Sequence, residues 1–333
     1  MQMKITFALV TLALILPSSW VGASPWTLPK DELGLSMRYD FEQARQEYLS
    51  NGTFQAYPLE GQFYSNTVRL EARYGFTDRL EGAIDVSFRH LNFDIQPIVI
   101  ELPEDTTDRG AVNESILDFG SSKWGVADVQ LHTRYNLRSG LVMVTTETSL
   151  KLPSGYTQPE GTFVEESDGS MRVAGDATLG DGQADITQSL LLGAYIPPTK
   201  TFVRFDVGAK ARFGAPGPQG VGALRVGQFL TDTVIVMGGA RFARTMWAGE
   251  SIGVTMVARD PSVLREDFTG ENVVGMPLYL DRDYFTAEAG LILRLEPAEV
   301  QFSYAGVMWG RNMAALHSVG MAVSLSLPSI TGP

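Results

Sequence analysis

The feature that most constrains this chain is a strict alternation of apolar and polar residues, which recurs between Leu33 and Leu327. In the segment 33–42 every odd position is apolar or aromatic, and every even position is glycine, polar or charged. Because successive side chains of a strand point to opposite sides, each such segment predicts a strand between an apolar and a polar medium. Twelve segments are predicted: 33–46, 63–75, 80–92, 125–137, 141–152, 183–195, 201–213, 221–230, 233–247, 284–295, 299–310 and 315–327.

The first residues of the chain have the pattern of a secretory signal peptide. Lys4 is followed by the apolar run 5–16, and Val21-Gly22-Ala23 provides small residues for cleavage, so we expect segment 1–23 to be removed. The run is too short to cross a hydrocarbon core of ~30 Å as a helix. No later stretch is long and apolar enough to do so, and we therefore expect any crossing of a membrane to be made by strands.

Composition excludes several kinds of site. The chain has no cysteine, so disulfides, thiolate metal sites and cysteine nucleophiles are impossible. Its formal net charge of −12 argues against a nucleic-acid partner, which favours a basic surface. Since no linker divides the chain, we predict a short periplasmic segment over 24–32, one barrel over 33–327 and a tail over 328–333.

The connections between the predicted strands alternate in length. Five are short and predict tight turns: 75–79, 138–140, 196–200, 231–232 and 296–298. Those between them are mostly long: 47–62, 93–122, 153–182, 214–220 and 248–282. This rhythm predicts an all-β fold, an antiparallel up-and-down transmembrane β-barrel of about twelve strands, with tight turns facing the periplasm and long loops facing outward.

Aromatic residues lie near both ends of the predicted strands. Those that precede tight turns are Tyr74, Tyr135, Tyr195 and Phe229. Those beside long loops are Trp124, Trp247 and Trp309. We interpret them as the two girdles that transmembrane barrels place at the membrane–water interfaces. A soluble all-β sandwich is the alternative, since it tolerates aromatic residues at strand ends without requiring them.

The polar face of the predicted strands is rich in charges of both signs. We expect these side chains to point into the barrel: Arg38, Arg69, Arg73, Arg89, Arg134, Lys151, Arg204, Lys210, Arg212, Arg294, Asp40, Glu71, Asp85, Asp128, Glu147, Asp185, Asp206 and Glu288. Opposite charges on neighbouring strands stabilise the pair by about 0.2–1 kcal/mol. Two interpretations stay open: ladders of ion pairs that fill the interior, or the lining of a hydrated pore. Leu91, Leu191 and Ile292 share this face and offer apolar contact or packing.

The long loops are acidic, which is typical of a solvated surface. An alternative is that they bind divalent cations that bridge them to anionic surface lipid. Two of them carry short helix signals, because Asn113 precedes 114–119 as a cap and Asp260 precedes 262–267.

The sequence offers little that is catalytic. His132, Asp128 and Ser149 share the predicted inward face and are compatible with a serine–histidine–acid site, as in an outer-membrane lipase. Such a set of three arises often by chance, and no catalytic residue is assigned. Segment 180–185 is glycine-rich but lacks the lysine and the helix of a phosphate-binding loop. No cofactor and no metal site is predicted.

Four short motifs resemble those of a known family. Segment 74–81 is similar to YGLTDRLE, 125–137 to GxGDxxLxxKYxL, 150–155 to KLPTG, and 180–185 to GSGxxD. In this order they resemble exported proteins of the phenol meta-pathway degradation family, which are outer-membrane barrels regarded as transporters of small apolar or aromatic compounds. The resemblance covers residues 65–210 and implies that fold and that solute class. Val126-Ala127 departs from the family's turn pattern, and the chain lacks the terminal aromatic residue of many barrels.

Together these observations predict a passive outer-membrane channel or transporter for small, hydrophobic or aromatic solutes in a Gram-negative bacterium. Its expected partners are outer-membrane lipid, a small-molecule solute, and the export and barrel-assembly machinery. The alternatives are a structural or adhesive outer-membrane barrel and a lipid-modifying enzyme.

Overall fold

The computed structural model describes residues 26–96, 98–101, 114–117, 120–156, 158–160, 163–165, 171–173 and 178–327. The predicted signal peptide, the cap at Asn113 and the predicted tail lie outside these residues. No helix within the described ranges is long and apolar enough to cross a membrane.

Twelve strands form the body of the protein, and each coincides with one predicted segment to within a few residues at either end. They are β1 (Leu33–Ala44), β2 (Gln62–Gly75), β3 (Leu80–Asp94), β4 (Ser121–Arg138), β5 (Val142–Pro153), β6 (Ala184–Ile196), β7 (Thr201–Phe213), β8 (Gln219–Phe229), β9 (Val234–Thr245), β10 (Asp283–Leu295), β11 (Ala298–Arg311) and β12 (His317–Leu327).

The strands close on themselves. Each pairs in antiparallel register with its neighbour in sequence, and β12 pairs with β1, setting Leu33 opposite Leu327 and Gln43 opposite His317. The closed sheet has no open edge, so its backbone donors and acceptors are paired without water. The predicted transmembrane up-and-down β-barrel is confirmed.

The alternation of the sequence sorts side chains onto two unlike faces. On the outer face, Leu70 of β2 and Ile84 of β3 are 42% and 44% exposed. On the inner face of the same strands, Arg73 and Glu81 are 5% and 0% exposed. A soluble protein buries the apolar set and exposes the charged one. The reverse distribution found here is that of a barrel surrounded by lipid.

The two ends of the barrel differ. At one end, called the turn end, the connections are tight: 76–79, 139–141, 197–200, 230–233 and 296–297. At the other, called the loop end, most connections are long and carry three small sheets. These consist of Gln46–Tyr48, Phe54–Ala56 and Met313–Ala314; of Ile98–Glu101 and Glu114–Leu117; and of Phe163–Glu165, Met171–Val173, Ser251–Ala258 and Val273–Tyr279.

The two helices predicted in the loops are wrong. Glu114–Leu117 is a strand that pairs with Ile98–Glu101. Three of those four partner residues are β-branched, and their preference for a sheet outweighs a weak capping signal. Within 262–267 the only helical residues are the single 3-10 turn Arg265–Asp267.

The predicted aromatic girdles are correct only in part. Tyr74 and Tyr135 share the outer register of Leu70 and Leu131, near the turn end. The three tryptophans near the loop end are exposed by 83%, 65% and 42%, namely Trp124, Trp247 and Trp309. Tyr195 and Phe229 instead occupy inward positions. Their partners in the register are Phe202 and Ile235, which are buried on the inner face at 7% and 3% exposure.

The lipid-facing surface predicts a position-dependent cost for charge. Val207 lies at the middle of β7 and Ile196 at the end of β6, and their exposed fractions are similar at 41% and 42%. Val207→Arg is expected to lower the free energy of unfolding by about 2–4 kcal/mol in phospholipid vesicles, and Ile196→Arg by about 0–1 kcal/mol. Urea titration of the vesicle-bound protein measures both. Equal costs at the two positions would contradict a lipid-embedded outer face.

Candidate permeation pathway

The charged side chains inside the barrel lie along its wall. Arg38 and Asp40 are neighbours on one face of β1, and the guanidinium donates from Nε at 2.6 Å and from Nη2 at 2.7 Å. Arg204 and Asp206 form the same pair on β7, at 3.0 and 2.6 Å. A pair two residues apart on one strand runs parallel to the wall. Such pairs satisfy buried charge without crossing the lumen.

Other pairs reach across an intervening strand, over a small residue. Arg225 of β8 pairs with Glu288 of β10, above Gly239 of β9. A Cβ at position 239 would lie 3.0 Å from Arg225 Cγ and 3.2 Å from Glu288 Oε1. Arg38 likewise extends over Gly320, where a Cβ would lie 2.8 Å from Nη2. The small residues therefore let long side chains lie flat.

The structure brings most of the predicted charged residues into such pairs. The pairs formed within that set, besides those above, are Arg69–Asp85, Arg134–Glu147, Lys151–Asp185 and Arg212–Asp185. Those formed with residues outside it include Arg73–Glu81, Arg89–Glu42, Arg294–Glu299 and Arg294–Glu296. Three residues of the set remain. Glu71 accepts a hydrogen bond from the Ser36 hydroxyl, and Asp128 accepts one from the Tyr156 hydroxyl. Lys210 stands opposite Thr187 and Gln219 in the strand register.

Solvent space remains in the middle of the barrel. Arg241 occupies an inward position midway along β9, yet its side chain is 46% exposed, with Nε 2.9 Å from Glu288 Oε2. Arg69, on the distant strand β2, is 35% exposed. An exposed side chain on the inner face requires room for water inside. The interior is therefore lined by charge at mid-height and is not filled by it.

At the turn end a compact ionic network narrows one side of the lumen. Its centre is Glu81, whose side chain is fully buried. One carboxylate oxygen accepts from Arg73 Nε at 2.9 Å and Arg134 Nη1 at 2.8 Å, and the other from Arg73 Nη2 at 2.7 Å and the Leu28 N–H at 2.8 Å. Arg134, 1% exposed, also donates to Glu147. All four acceptor sites of the buried carboxylate are thus used.

The segment before β1 crosses the turn-end mouth from this network. This N-terminal strap (residues 26–32) is held where the Asp31 N–H donates to Gly75 O at 2.8 Å. Gly75 is required there, because a Cβ would lie 2.0 Å from Pro29 O. At its far end the Trp26 ring meets Phe202 of β7 edge-on, with centroids 6.5 Å apart. The strap therefore joins the charged wall to the wall around β7.

Where the strap arrives, the inner face is aromatic. Phe202 contacts Phe229 edge-on at 6.3 Å between centroids, and Phe229 contacts Tyr195 in the same way at 5.9 Å. With Trp26 these residues form one continuous cluster, called here the aromatic cluster. Edge-on contacts are a favoured arrangement of rings and leave ring faces available to a further ring.

An aliphatic patch continues the aromatic cluster into the lumen. Ile235, Met237 and Ile292 face inward from β9 and β10 and are 3%, 9% and 0% exposed. They pack with Phe202 as one cluster. The turn end is thus divided between an ionic wall on β2 to β5 and an apolar wall on β6 to β10.

At the loop end, residues 178–183 fold into the mouth. Leu179 packs on Leu91. Asp181 lies 2.5 Å from Lys151 Nζ and also bonds Arg212. Burial acts to raise the pKa of the Asp181 carboxyl, but Lys151, Arg212 and Arg282 together lower it below its usual range. The ionised carboxylate of Asp181 therefore holds this loop to Lys151 of β5 and Arg212 of β7.

The possible serine–histidine–acid site is not assembled as the sequence suggested. His132 and Ser149 do lie opposite each other on β4 and β5. Asp128, however, accepts a hydrogen bond from the Tyr156 hydroxyl at 2.7 Å. The carboxylate beside His132 is that of Glu147, with Oε1 3.8 Å from His132 Nδ1. The other oxygen of this carboxylate is bonded to Arg134. Within the described residues, no group of three metal-binding side chains could hold an ion either.

Several residues of the interior were not predicted from the sequence. Glu81 has the correct alternation and could have been assigned inward with its neighbours. Phe202, Tyr195 and Phe229 look like interfacial aromatics until the register is known. Trp26 precedes the alternating pattern, so nothing in the sequence signals its contact with β7.

Comparisons with known proteins support the fold. No protein-family model matches the chain, and no curated protein is similar to it in sequence. An outer-membrane channel from Pseudomonas putida F1 has a similar structure, with a TM-score of 0.60 and 12% identity over 93% of this chain and 100% of that one. The toluene transporter TodX of Pseudomonas putida gives a TM-score of 0.42, with 11% identity over 93% and 94% of the two chains. The translocator domain of the autotransporter NalP from Neisseria meningitidis gives 0.40, with 12% identity over 97% and 94%.

The network around Glu81 predicts an asymmetric response to loss of charge. Glu81→Gln leaves Arg73 and Arg134 buried beside a neutral group, and is expected to lower the free energy of unfolding by about 3–5 kcal/mol. Asp232→Asn at the turn end removes a charge whose side chain is 95% exposed, and should change stability too little to resolve. Urea unfolding measures both. Tolerance of Glu81→Gln at the level of the control would show that the network does not stabilise the barrel.

Proposed function

We propose that this protein is an outer-membrane channel through which small apolar solutes, including aromatic ones, pass down their concentration gradient. The path enters between the outward loops, crosses the hydrated middle of the barrel, and leaves along the apolar wall at the turn end. No energy source, cofactor or catalytic group is needed for such passage.

The observation that carries this proposal is the aromatic cluster of Trp26, Tyr195, Phe202 and Phe229, with the aliphatic patch beside it. In a barrel surrounded by lipid, the inner face is the one that is not required to be apolar. Apolar side chains concentrated on that face pack against the Trp26 ring of the strap, and they also offer an apolar surface to a passing solute. Sites for small organic ligands are mostly apolar, with few polar groups, and this wall has that composition.

The wall-parallel ion pairs also support passage. A ladder built to close the lumen would send side chains across it, whereas Arg38, Arg204 and Arg225 lie flat over the wall. The exposure of the Arg241 side chain indicates room for water beside the path. The motifs that resemble the phenol meta-pathway degradation family, and the barrel shared with a Pseudomonas channel, favour the same function.

Removal of the strap's anchor tests whether the turn-end mouth is the narrow point. Trp26→Ala deletes the ring that reaches Phe202, and is expected to raise single-channel ion conductance severalfold in planar bilayers because the mouth widens. Trp124→Ala, at a position 83% exposed near the loop end, serves as the matched control and should leave conductance unchanged. A Trp26→Ala protein that conducts as the unaltered protein does would place the constriction elsewhere. A wild-type barrel that stays closed at all voltages would contradict the channel and favour a structural barrel.

The apolar wall predicts selectivity for neutral aromatic solutes. Cells that carry the protein should take up labelled toluene faster than cells without it, with no gain for a labelled disaccharide. Met237→Gln adds a polar amide to the wall and should reduce toluene uptake severalfold, because the amide loses water on solute contact. Met246→Gln, 53% exposed outside the lumen, is the control. Equal gains for both solutes would indicate a general pore.

A further inference from the structure

Three neighbouring strands repeat one pattern on the outer face near the loop end. Each carries an aromatic residue and, two positions nearer the loop end, a charged one: Phe242 and Arg244 on β9, Phe285 and Asp283 on β10, Trp309 and Arg311 on β11. The register sets Phe242 opposite Phe285, and Phe285 opposite Trp309. The result is a row of three rings with a row of three charged groups directly beyond it.

One carboxylate organises the two arginines of the charged row. Asp283 Oδ2 lies 3.1 Å from Arg311 Nε and 3.7 Å from Arg244 Nε. Its other oxygen accepts the Thr245 N–H at 2.7 Å. Asp283 is 2% exposed, so this carboxylate is occupied and largely out of reach of solvent. The group as a whole carries one net positive charge.

The two guanidinium groups present their outer nitrogens to the surroundings. The side chains of Arg244 and Arg311 are 71% and 34% exposed. Arg244 Cζ also lies 5.7 Å from the centroid of the Trp309 ring, which fixes its position above the aromatic row. Over the described ranges of the chain, the Nη groups of both arginines make no hydrogen bond to protein. Two guanidinium forks side by side are the donor set that phosphate prefers.

The position of this group along the barrel identifies its partner. Interfacial aromatics mark the boundary between hydrocarbon and headgroups. A residue two places farther along a tilted strand lies about 5–7 Å above that boundary, at the level of lipid phosphates. We propose that Arg244 and Arg311, held by Asp283, bind the phosphate of an anionic lipid of the outer leaflet. The chain as a whole has a net charge of −12, so a local positive site is needed to attract such a lipid.

This inference rests on the membrane location that the proposed function includes. The lipid would lie with its acyl chains against Phe242 and Phe285 and its phosphate between the arginines. It would act on the outside of the barrel, and the lumen does not take part.

Native mass spectrometry tests the site on the full-length mature protein in a phosphate-free non-ionic detergent. The probe is diphosphoryl lipid A, titrated against the unaltered protein and against the double variant Arg244→Gln/Arg311→Gln. The variant is expected to bind it about tenfold more weakly, because two charge-assisted contacts are lost at a partly exposed site. Arg79→Gln/Lys200→Gln, which removes two charges from the turn end, should bind as the unaltered protein does. Heat-modifiable gel mobility confirms that each variant is folded.

Three results would overturn the proposal: equal binding by the two-arginine variant, equal binding of lipid A stripped of phosphate, or displacement of lipid A by inorganic phosphate at equal concentration. The first would show that the two arginines do not bind the lipid, and the second that its phosphate is not the group recognised. The third would indicate a site for free phosphate. Planar-bilayer conductance of the same samples separates this inference from the channel. A double variant that conducts normally but binds lipid weakly supports both, whereas a wild-type barrel that binds lipid and never conducts contradicts only the channel.

Discussion

A chain that crosses lipid with strands must pair all of its backbone groups within the sheet, and in this protein the pairing of β12 with β1 completes that requirement. Closure then assigns every second side chain to lipid and every other one to the interior. The outer set is fixed by the membrane and has little freedom. What distinguishes this barrel from others is therefore found on the inner face, where lipid does not dictate the residue.

The inner face solves a problem of charge. Carboxylates and guanidiniums removed from bulk water must be paired and hydrogen-bonded, or they destabilise the fold. Here the pairs run along single strands, between adjacent strands, or across one intervening strand over glycine, and they leave room for solvent beside Arg241. The same arrangement thus pairs the charges of the wall and leaves room for water at mid-height. At the turn end the charges concentrate around Glu81, and the strap crosses from them to the opposite aromatic wall.

The sequence is a good guide to the barrel and a poor one to its interior. The twelve strands follow from period-two alternation, since that pattern reports directly which medium each face meets. It predicts that Arg134, Glu147 and Asp206 face the inside, but it cannot tell which partner each will have, because pairing depends on the register between strands. Phe229 shows the limit: an aromatic residue before a tight turn fits a lipid-facing girdle, and a shift of one position sends it inward. The helix predicted after Asn113 is wrong for a related reason. Glu114–Leu117 forms a strand with Ile98–Glu101, and this partner is too distant in sequence for a local capping signal to reveal it.

We propose the apolar wall at the turn end as the path for small apolar solutes. The most direct measurement is X-ray diffraction from crystals of the protein soaked in bromobenzene, with the bromine located by its anomalous scattering. If solutes pass along this wall, a bromine site lies inside the barrel, within contact distance of Phe202 or Met237, and is lost in Met237→Gln. Bromine found only on the outer, lipid-facing surface, with none in the lumen, would show that the wall is not a solute path.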